Sequence, residues 1–404
     1  MARTLRVLLN QTPVGELQLD AQERCEFKLL ESYKAAYPRP VLGQVFLDDL
    51  NRIHHTRART PPWFSNLLPE GPLRELIAAQ AQVHPAREFF LLRHLGEDLP
   101  GAVRIVDNEP WTQPEEGDLG TSTGDSGDLL AETWHFSLAG VQLKFSARRT
   151  ERGLTIPVSG RGGDWIVKLP DTRFDRVPEN EYATMRWAEA SGIPIPEMAL
   201  VRTVDIVGLP SSYNTFPEPY ALAVRRFDRP SLETRVHMED FAQILDLYPE
   251  EKYKKFSYDN LARLILILAG EEDLRAFLHR LVFIVACGNG DAHHKNWTLI
   301  YPEPVSARLS PAYDLVSTIQ YQPDDRLALN LGGTKRWEEV NGQTFLRMAE
   351  KIGVDEKRME SWIADACADV MQAWSENGEH FGYTKQARAR IVQHFSRIPL
   401  LRSF

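Results

Sequence analysis

The sequence predicts an α+β fold in which a small, β-rich N-terminal domain precedes a strand-rich half and then a helical half. Three observations support this prediction. A chain of 404 residues is too long for one ordinary hydrophobic core, so two or three domains are expected. A strongly acidic segment separates roughly the first hundred residues from the remainder. After Pro230, apolar residues recur at three- and four-residue spacing, which is typical of helices.

The N-terminal unit, residues 1–105, opens with two apolar runs on either side of the turn-forming letters NQTPVG. This pattern predicts a β-hairpin. A helix is expected to begin near Pro72, because proline is favoured at the first position of a helix. No residue of this unit is predicted to be catalytic. Residues 106–133 hold eight acidic residues and no Lys or Arg, a composition that buries little apolar surface and predicts a flexible linker.

The remaining chain divides into a strand-rich part, residues 134–227, and a helical part, residues 228–404. Strands are predicted in WHFSLAGVQLKFSARR, GDWIVKLP and PYALAVRRFDRP, and a helix in PENEYATMRWAEASG that ends near Gly192. The strongest later helices are YDNLARLILILAG and EDLRAFLHRLVFIVACG, the second of which ends at Gly288. A short hairpin follows, with WTLIY and VSARL as its strands and PEP as its turn.

Charge and composition exclude several classes of protein. A net charge of −9 argues against a protein that binds nucleic acid over most of its surface. The sequence has no run of 18 apolar residues, so neither a transmembrane helix nor a membrane partner is expected. The three cysteines, Cys25, Cys287 and Cys367, are far apart and lack metal-binding spacing. This usage is typical of the reducing cytoplasm.

The polar loop GNGDAHHKN carries the strongest chemical signal. Asp291 and Asn296 lie close together in it, and the hairpin that follows should return Asp314 to the side of Asn296. Phosphoryl transfer needs such groups, because one carboxylate accepts the hydroxyl proton while an amide oxygen and a second carboxylate hold Mg²⁺ against the phosphates. Two other interpretations stay open. Asp291 and Asn296 could cap backbone groups of a turn, or Asp291, His293 and His294 could bind zinc.

Three further segments occur in the order that a nucleotide-binding phosphotransferase requires. The loop Ser137–Ser146 contains Gly140 and other small residues that let backbone N–H groups approach a phosphate, although an ordinary β-turn would have the same composition. Lys168 ends an apolar strand, where it could hold phosphates with Glu181 as its partner or extend into solvent. The segment AVRRFDRP lies where the two halves meet, which suits either an adenine-binding strand or a plain edge strand.

Six segments, taken in order, carry a family resemblance: FSLAGVQLKFSA, WIVKLP, NEY, VRRFDR, NGDAHHKN and LSPAYDL. Together they resemble the HipA-type serine/threonine kinases, which are toxins of bacterial toxin–antitoxin pairs. The segment FSNLLPEGPLR resembles the N-terminal domain of that family. The resemblance implies a two-lobed fold like that of protein kinases and phosphoinositide kinases. Residues 134–227 would form its strand-rich N-lobe, and residues 228–404 its helical C-lobe.

The resemblance also implies a role for each candidate site residue. Asp291 would be the catalytic base, His293 would support its loop, and Asn296 would act beside it in catalysis. Asn296 and Asp314 would hold Mg²⁺. ATP would be bound by a phosphate loop, a strand-end lysine, an adenine hinge and an aspartate: Ala139, Gly140, Val141, Gln142, Leu143, Lys144, Lys168, Arg225, Arg226, Phe227 and Asp314. Ser137 would be autophosphorylated, which in the family switches the kinase off.

The partners implied by the resemblance are macromolecules. A small helix-turn-helix antitoxin of the HipB type would bind the protein, and DNA would be reached only through that complex. The protein substrate would be an aminoacyl-tRNA synthetase. Two alternatives remain at this point. One is a kinase of a small molecule or lipid on the same fold, and the other is a catalytically silent co-repressor that binds an antitoxin.

Overall fold

The computed structural model of the protein describes residues 3–96, 98–108, 144–150, 153–156, 162–209, 216, 218–231 and 233–402. Within these residues the chain forms three β-sheets, one in each of the three predicted regions. No helix of the described residues has the length and apolar composition needed to cross a membrane. The α+β fold class is therefore confirmed.

The N-terminal domain is built on a five-stranded antiparallel sheet with the order β4-β3-β2-β1-β5. Its strands are β1 (Arg3–Leu9), β2 (Thr12–Leu19), β3 (Arg24–Leu29), β4 (His54–Arg57) and β5 (Val103–Asp107). Its helices are α1 (Glu31–Lys34), α2 (Gln44–Leu47), α3 (Pro62–Ser65), α4 (Gly71–Ala81) and α5 (Glu88–Leu95). The predicted hairpin is β1–β2, and the helix predicted near Pro72 is α4. Strand β5 takes in the first two residues of the predicted linker.

The second sheet has six strands in the order β10-β7-β6-β8-β11-β9, and all neighbours are antiparallel except β10 and β7. Its strands are β6 (Lys144–Thr150), β7 (Gly153–Thr155), β8 (Trp165–Lys168), β9 (Met198–Arg202), β10 (Ile206–Val207) and β11 (Tyr220–Arg225). Helix α6 (Val177–Ala190) crosses between β8 and β9. It contacts β11 and ends before Gly192, as the sequence predicts. Its buried face carries Glu181 toward the sheet.

The last region combines a small sheet with the largest helices. Strands β12 (His237–Asp240), β13 (Thr298–Glu303) and β14 (Ser306–Leu309) form an antiparallel sheet. The helices are α7 (Phe241–Ile244), α8 (Tyr258–Leu268), α9 (Glu271–Cys287), α10 (Gly342–Ile352), α11 (Glu356–Asn377) and α12 (Lys385–Arg397). Helix α9 lies at the centre of the core and packs against α8 and α11.

The predicted hairpin after α9 is present, but its turn is displaced. Strand β13 continues to Glu303, so the turn falls at Pro304 and Val305 and the letters PEP are mostly strand. The pairing of Glu303 with Ser306 extends the hairpin beyond the point that the prolines suggest. Strand β12, which the sequence analysis did not predict, pairs with the other edge of β13.

Candidate active site

A cavity of about 430 Å³ lies between the six-stranded sheet, the loop after α9 and the N-terminal domain. Apolar side chains of the sheet and of β12 line part of it, among them Ile166, Val224 and Met238. Its lining also includes eight of the predicted site residues: Lys144, Lys168, Arg225, Arg226, Phe227, His293, Asn296 and Asp314. The fold therefore brings together groups that the sequence distributes over most of the chain.

Lys168 is the central charge of this cavity. Its ammonium nitrogen lies 2.5 Å from Oε1 of Glu181 and also forms an ion pair with Asp314. The predicted pairing of Lys168 with Glu181 is thus confirmed. Burial by itself lowers the pKa of Lys168, but the negative charges of Asp314 and Glu181 outweigh burial and raise it. Lys168 is therefore a fixed cation over the physiological pH range.

Asp314 faces Lys168 from the segment that follows β14. Its backbone has a φ of 53°, in the left-handed region that few residues other than glycine adopt, although aspartate is enriched there. Burial raises the pKa of its carboxyl group, but the charges of Lys168 and Lys144 oppose this and bring the pKa well below its usual range. Asp314 is therefore an ionised oxygen donor held in one orientation at the cavity wall.

Asn296 supplies a second oxygen donor to the same cavity. Its Nδ2 donates a hydrogen bond of 2.8 Å to the carbonyl oxygen of Asp291, which leaves the amide oxygen Oδ1 as the group available to a cation. Mg²⁺ binds hard oxygen ligands and commonly takes only one or two from the protein. The carboxylate of Asp314 and the amide oxygen of Asn296 fit that requirement.

Asp291, the predicted base, lies beside this cavity rather than in its lining. It borders a small neighbouring cavity of about 10 Å³ together with Phe174 and Tyr321. The hydroxyl of Tyr253 donates a hydrogen bond to its carboxylate, and its own N–H donates to the side chain of Asn289 at 2.9 Å. An acceptor hydroxyl that approaches Asp291 therefore has to share this carboxylate with Tyr253.

The two adjacent histidines point in different directions. The ring of His293 packs edge-on against Tyr253 at 4.9 Å and lines the large cavity, whereas Nδ1 of His294 lies 2.6 Å from the carbonyl oxygen of Lys252. Burial lowers the pKa of His293 well below its usual value and that of His294 to about 4, so both rings are neutral. Among the described residues, no three His, Cys, Asp or Glu side chains converge as metal ligands. The zinc interpretation with Asp291 is therefore wrong.

Gly288 ends α9 and directs the chain into this loop. Its φ is 65°, and a Cβ at this position would lie 2.7 Å from Cδ1 of Ile319. We expect Gly288→Ala to lower the free energy of unfolding by about 2 kcal/mol, because the left-handed backbone and the displaced isoleucine both carry a cost. Urea unfolding measures this change. Gly353→Ala is the matched control, because it ends α10 with a similar φ and would contact nothing within 4 Å. Equal losses in the two variants would contradict the steric contribution.

The predicted hinge borders the cavity at the end of β11. The backbone N–H groups of Arg225 and Arg226 donate to the carbonyl oxygens of Glu197 and Asp164, both at 2.8 Å. The side chain of Arg225 is exposed, whereas that of Arg226 is buried. Phe227 lies next in the cavity lining. An adenine ring that forms hydrogen bonds with this strand would therefore have to use backbone atoms other than these two N–H groups.

Two family models match the chain. Residues 136–374 match the HipA-like C-terminal domain, and residues 5–106 match the HipA N-terminal domain. The chain belongs to the HipA family. The resemblance drawn from the sequence is therefore confirmed.

Alignments with similar proteins cover nearly the whole of this HipA-family chain. It is 38% identical over 410 residues to the putative kinase Y4dM of Sinorhizobium fredii, with 99% of this chain and 98% of that protein covered. It is 25% identical over 414 residues to the serine/threonine-protein kinase toxin HipA of Shewanella oneidensis, with 92% and 89% covered. The solved complex of HipA, HipB and operator DNA from Shewanella oneidensis matches with a TM-score of 0.73 at 20% identity, covering 98% of this chain and 95% of that chain. That structural likeness establishes a shared fold.

Of the predicted phosphate loop, Ser137–Ser146, the structure describes only residues 144–146. Ser137 and the predicted ATP-binding residues Ala139, Gly140, Val141, Gln142 and Leu143 lie outside the described residues. Lys144 begins β6 and is paired in register with Lys168, and it lines the cavity. Its charge also lowers the pKa of Asp314. Lys144 therefore lies beside the cation and the carboxylate that the sequence assigns to nucleotide binding.

The HipA N-terminal domain forms one wall of the cavity, which the sequence analysis did not anticipate. Glu70, at the start of α4, lies 2.8 Å from the ammonium nitrogen of Lys252 and 3.2 Å from that of Lys295. Asn66 accepts a hydrogen bond from Lys295 at 3.0 Å. The one local signal was a glutamate placed between apolar residues in the letters LLPEGP. This signal did not reveal that the partners of Glu70, Lys252 and Lys295, lie about 180 and 225 residues further along the chain.

A largely buried ionic cluster connects the predicted hinge to the same domain. Arg226 lies 2.8 Å from Asp228 and 3.4 Å from Asp98, and Arg229 donates to the carbonyl oxygen of Gly101 at 2.7 Å. Burial raises the pKa of Asp228, but the adjacent Arg226 outweighs burial and lowers it. The cluster is therefore ionised. It holds the N-terminal domain against the chain that directly follows β11.

Proposed function

We propose that this protein is an ATP- and Mg²⁺-dependent serine/threonine protein kinase. The observation that carries the proposal is the ion pair of Lys168 with both Glu181 and Asp314, at a cavity that Asn296 also lines. Protein kinases hold nucleotide phosphates with a lysine oriented by a glutamate, and hold their metal with an aspartate and an asparagine. Mg²⁺ bound by Asn296 and Asp314 would neutralise charge on the phosphates.

Different residues around the cavity would have different roles in phosphoryl transfer. Lys168 and Lys144 would bind the phosphates of ATP, and Arg225–Phe227 would border its adenine. Asp291 would accept the proton of the acceptor hydroxyl, and its contact with Tyr253 holds the carboxylate in place. The neutral ring of His293 packs behind that contact and adds no charge beside the base.

The biological role that we propose is that of a toxin in a toxin–antitoxin pair. Membership of the HipA family supports it, as does the likeness to a HipA solved together with HipB and operator DNA. A helix-turn-helix antitoxin of the HipB type would bind this chain, and DNA would be reached through that complex. The substrate would be an aminoacyl-tRNA synthetase. Autophosphorylation of Ser137 would regulate the kinase, because a dianion in the phosphate loop repels bound ATP phosphates.

The test is to incubate the full chain with Mg²⁺ and ATP and to measure intact mass and phosphopeptides. We expect one added phosphate, on Ser137, in the wild type. Asp291→Asn should lower the rate of its formation at least about 100-fold, because the amide cannot accept the hydroxyl proton. Asp324→Asn is the matched control, since this exposed aspartate lies outside the cavity lining, and its rate should equal that of the wild type.

The alternatives predict different results in the same experiment. A protein that binds ATP but transfers phosphate neither to itself nor to a synthetase would need another acceptor, and a small molecule or lipid would be tested next. A protein that binds no ATP would be a silent co-repressor, and the proposal would be wrong. An Asp291→Asn variant as active as the wild type would remove Asp291 from the role of base.

A further inference from the structure

Lys252 is a buried cation of the cavity that lies outside every segment singled out by the sequence. It follows a short helical turn, Pro249–Glu251, and exposes only 8% of its side chain. Its ammonium nitrogen lies 2.8 Å from Oε2 of Glu70 on the N-terminal domain. Lys252, Glu70 and His293 all line the large cavity. A buried lysine at this position can have either a structural role or a role in binding an anion.

The hydrogen-bond donors of the two lysines that contact Glu70 are used differently. An ammonium group has three N–H donors. Those of Lys295 are taken by the side-chain and main-chain oxygens of Asn66 at 3.0 and 3.2 Å and by Glu70 at 3.2 Å. For Lys252, Glu70 is the one acceptor within hydrogen-bond distance among the described residues. Two donors of Lys252 are therefore left for a ligand.

His293 provides a second and independent indication of a ligand. Its side chain is almost fully buried, and within the described part of the chain neither ring nitrogen has a hydrogen-bond partner. An imidazole buried without partners loses the free energy of hydrating its polar atoms. A ligand oxygen in the cavity that both residues line would satisfy the imidazole N–H and the free donors of Lys252 together.

We propose that Lys252 binds an oxygen of the terminal phosphoryl group of ATP, with His293 beside it, and that Glu70 is the positioning residue for Lys252. This inference rests on the proposed kinase function. The arrangement repeats that of Lys168, whose ammonium is oriented by Glu181 and whose charge serves the nucleotide. The carboxylate that orients Lys252 is that of Glu70, which belongs to the N-terminal domain. This domain therefore completes the phosphate site.

The experiment compares two nucleotides that differ in the terminal phosphoryl group. ADP and the non-hydrolysable ATP analogue adenylyl imidodiphosphate are titrated, with Mg²⁺, into the full chain by calorimetry. We expect Lys252→Met to weaken binding of the analogue at least about tenfold while ADP binding stays within about twofold, because a charge-assisted hydrogen bond to one phosphate is lost. Glu70→Gln should weaken the analogue about threefold in the same selective way, since Lys252 keeps its charge.

Two variants separate this role from a structural one. Lys252→Arg keeps the charge and should retain most of the affinity for the analogue. If Lys252 served only in packing, the arginine variant would not retain affinity for the analogue in preference to ADP. Lys254→Met removes an exposed lysine two positions away and should leave both affinities unchanged. Equal weakening of ADP and the analogue in Lys252→Met, or no weakening of either, would overturn the inference. A wild type that binds neither nucleotide would instead overturn the proposed function.

Discussion

Replacement of Lys168 by methionine is expected to lower the rate of phosphoryl transfer at least about 100-fold and the free energy of unfolding at pH 7 by about 3 kcal/mol. Methionine preserves most of the side-chain volume but removes the cation that Glu181 and Asp314 share. Glu181 and Asp314 then lie near one another with only the charge of Lys144 to oppose theirs, which is a large destabilisation in a protein interior. Autophosphorylation rates and urea unfolding measure the two effects.

The pH dependence of this loss identifies its cause. Without Lys168, the pKa values of both carboxyl groups rise in the folded state above those of the unfolded chain. The folded variant then holds protons that the unfolded chain releases, so its stability falls as pH rises and recovers as pH approaches 4. Lys28→Met, which removes an exposed lysine of β3 that pairs with Glu16, is the matched control and should change the free energy of unfolding by less than about 1 kcal/mol. Equal stability of Lys168→Met and wild type from pH 4 to 8 would contradict this account.

Glu239 is expected to make the whole protein less stable as pH rises from about 4.5 to about 7. This fully buried carboxyl group joins β12 to the N-terminal domain, because it accepts hydrogen bonds from the indole of Trp63 and the N–H of Gln44. Burial raises its pKa to about 7, although the hydrogen bond from Tyr301 and the others oppose the rise. In that pH range the folded protein keeps a proton that the unfolded chain has lost. The expected loss of stability is about 3 kcal/mol.

The variant Glu239→Gln isolates this contribution, because glutamine does not titrate. Urea unfolding gives the free energy of unfolding of each protein at each pH. The value for the wild type minus that for the variant should fall by about 3 kcal/mol between pH 4.5 and 7.5. The neighbouring Asp240, whose pKa burial raises to about 6, titrates in both proteins, so the difference retains only its electrostatic interaction with Glu239. Glu250→Gln, which changes an exposed glutamate paired with Arg59, is the control in the same measurement. A constant difference for Glu239→Gln would show that its proton is not linked to folding.

The order of elements and eight residues of the cavity lining could be predicted from local sequence patterns. The apolar periodicity of α8 and α9 and the glycine after α9 are local patterns, and both were found where they were predicted. The short hairpin is also a local pattern, and its strands are present. The pairing of Lys168 with Glu181 could also be predicted, because a strand end and the following helix lie only 13 residues apart. The turn of the hairpin was displaced by two residues, since strand pairing overrode the preference of its prolines.

The contribution of the N-terminal domain follows from the packing of the folded chain and from no local pattern. Glu70 meets Lys252 across 182 positions of the chain, and Asp98 meets Arg226 across 128. No local periodicity or turn signal encodes such contacts, because they depend on how two separately folded surfaces dock. The same reason applies to Tyr253, whose hydroxyl reaches Asp291 from a loop 38 positions earlier. Hydrophobic patterning specifies which face of an element is buried, whereas the partners of a buried charge are specified only by the packing of whole domains.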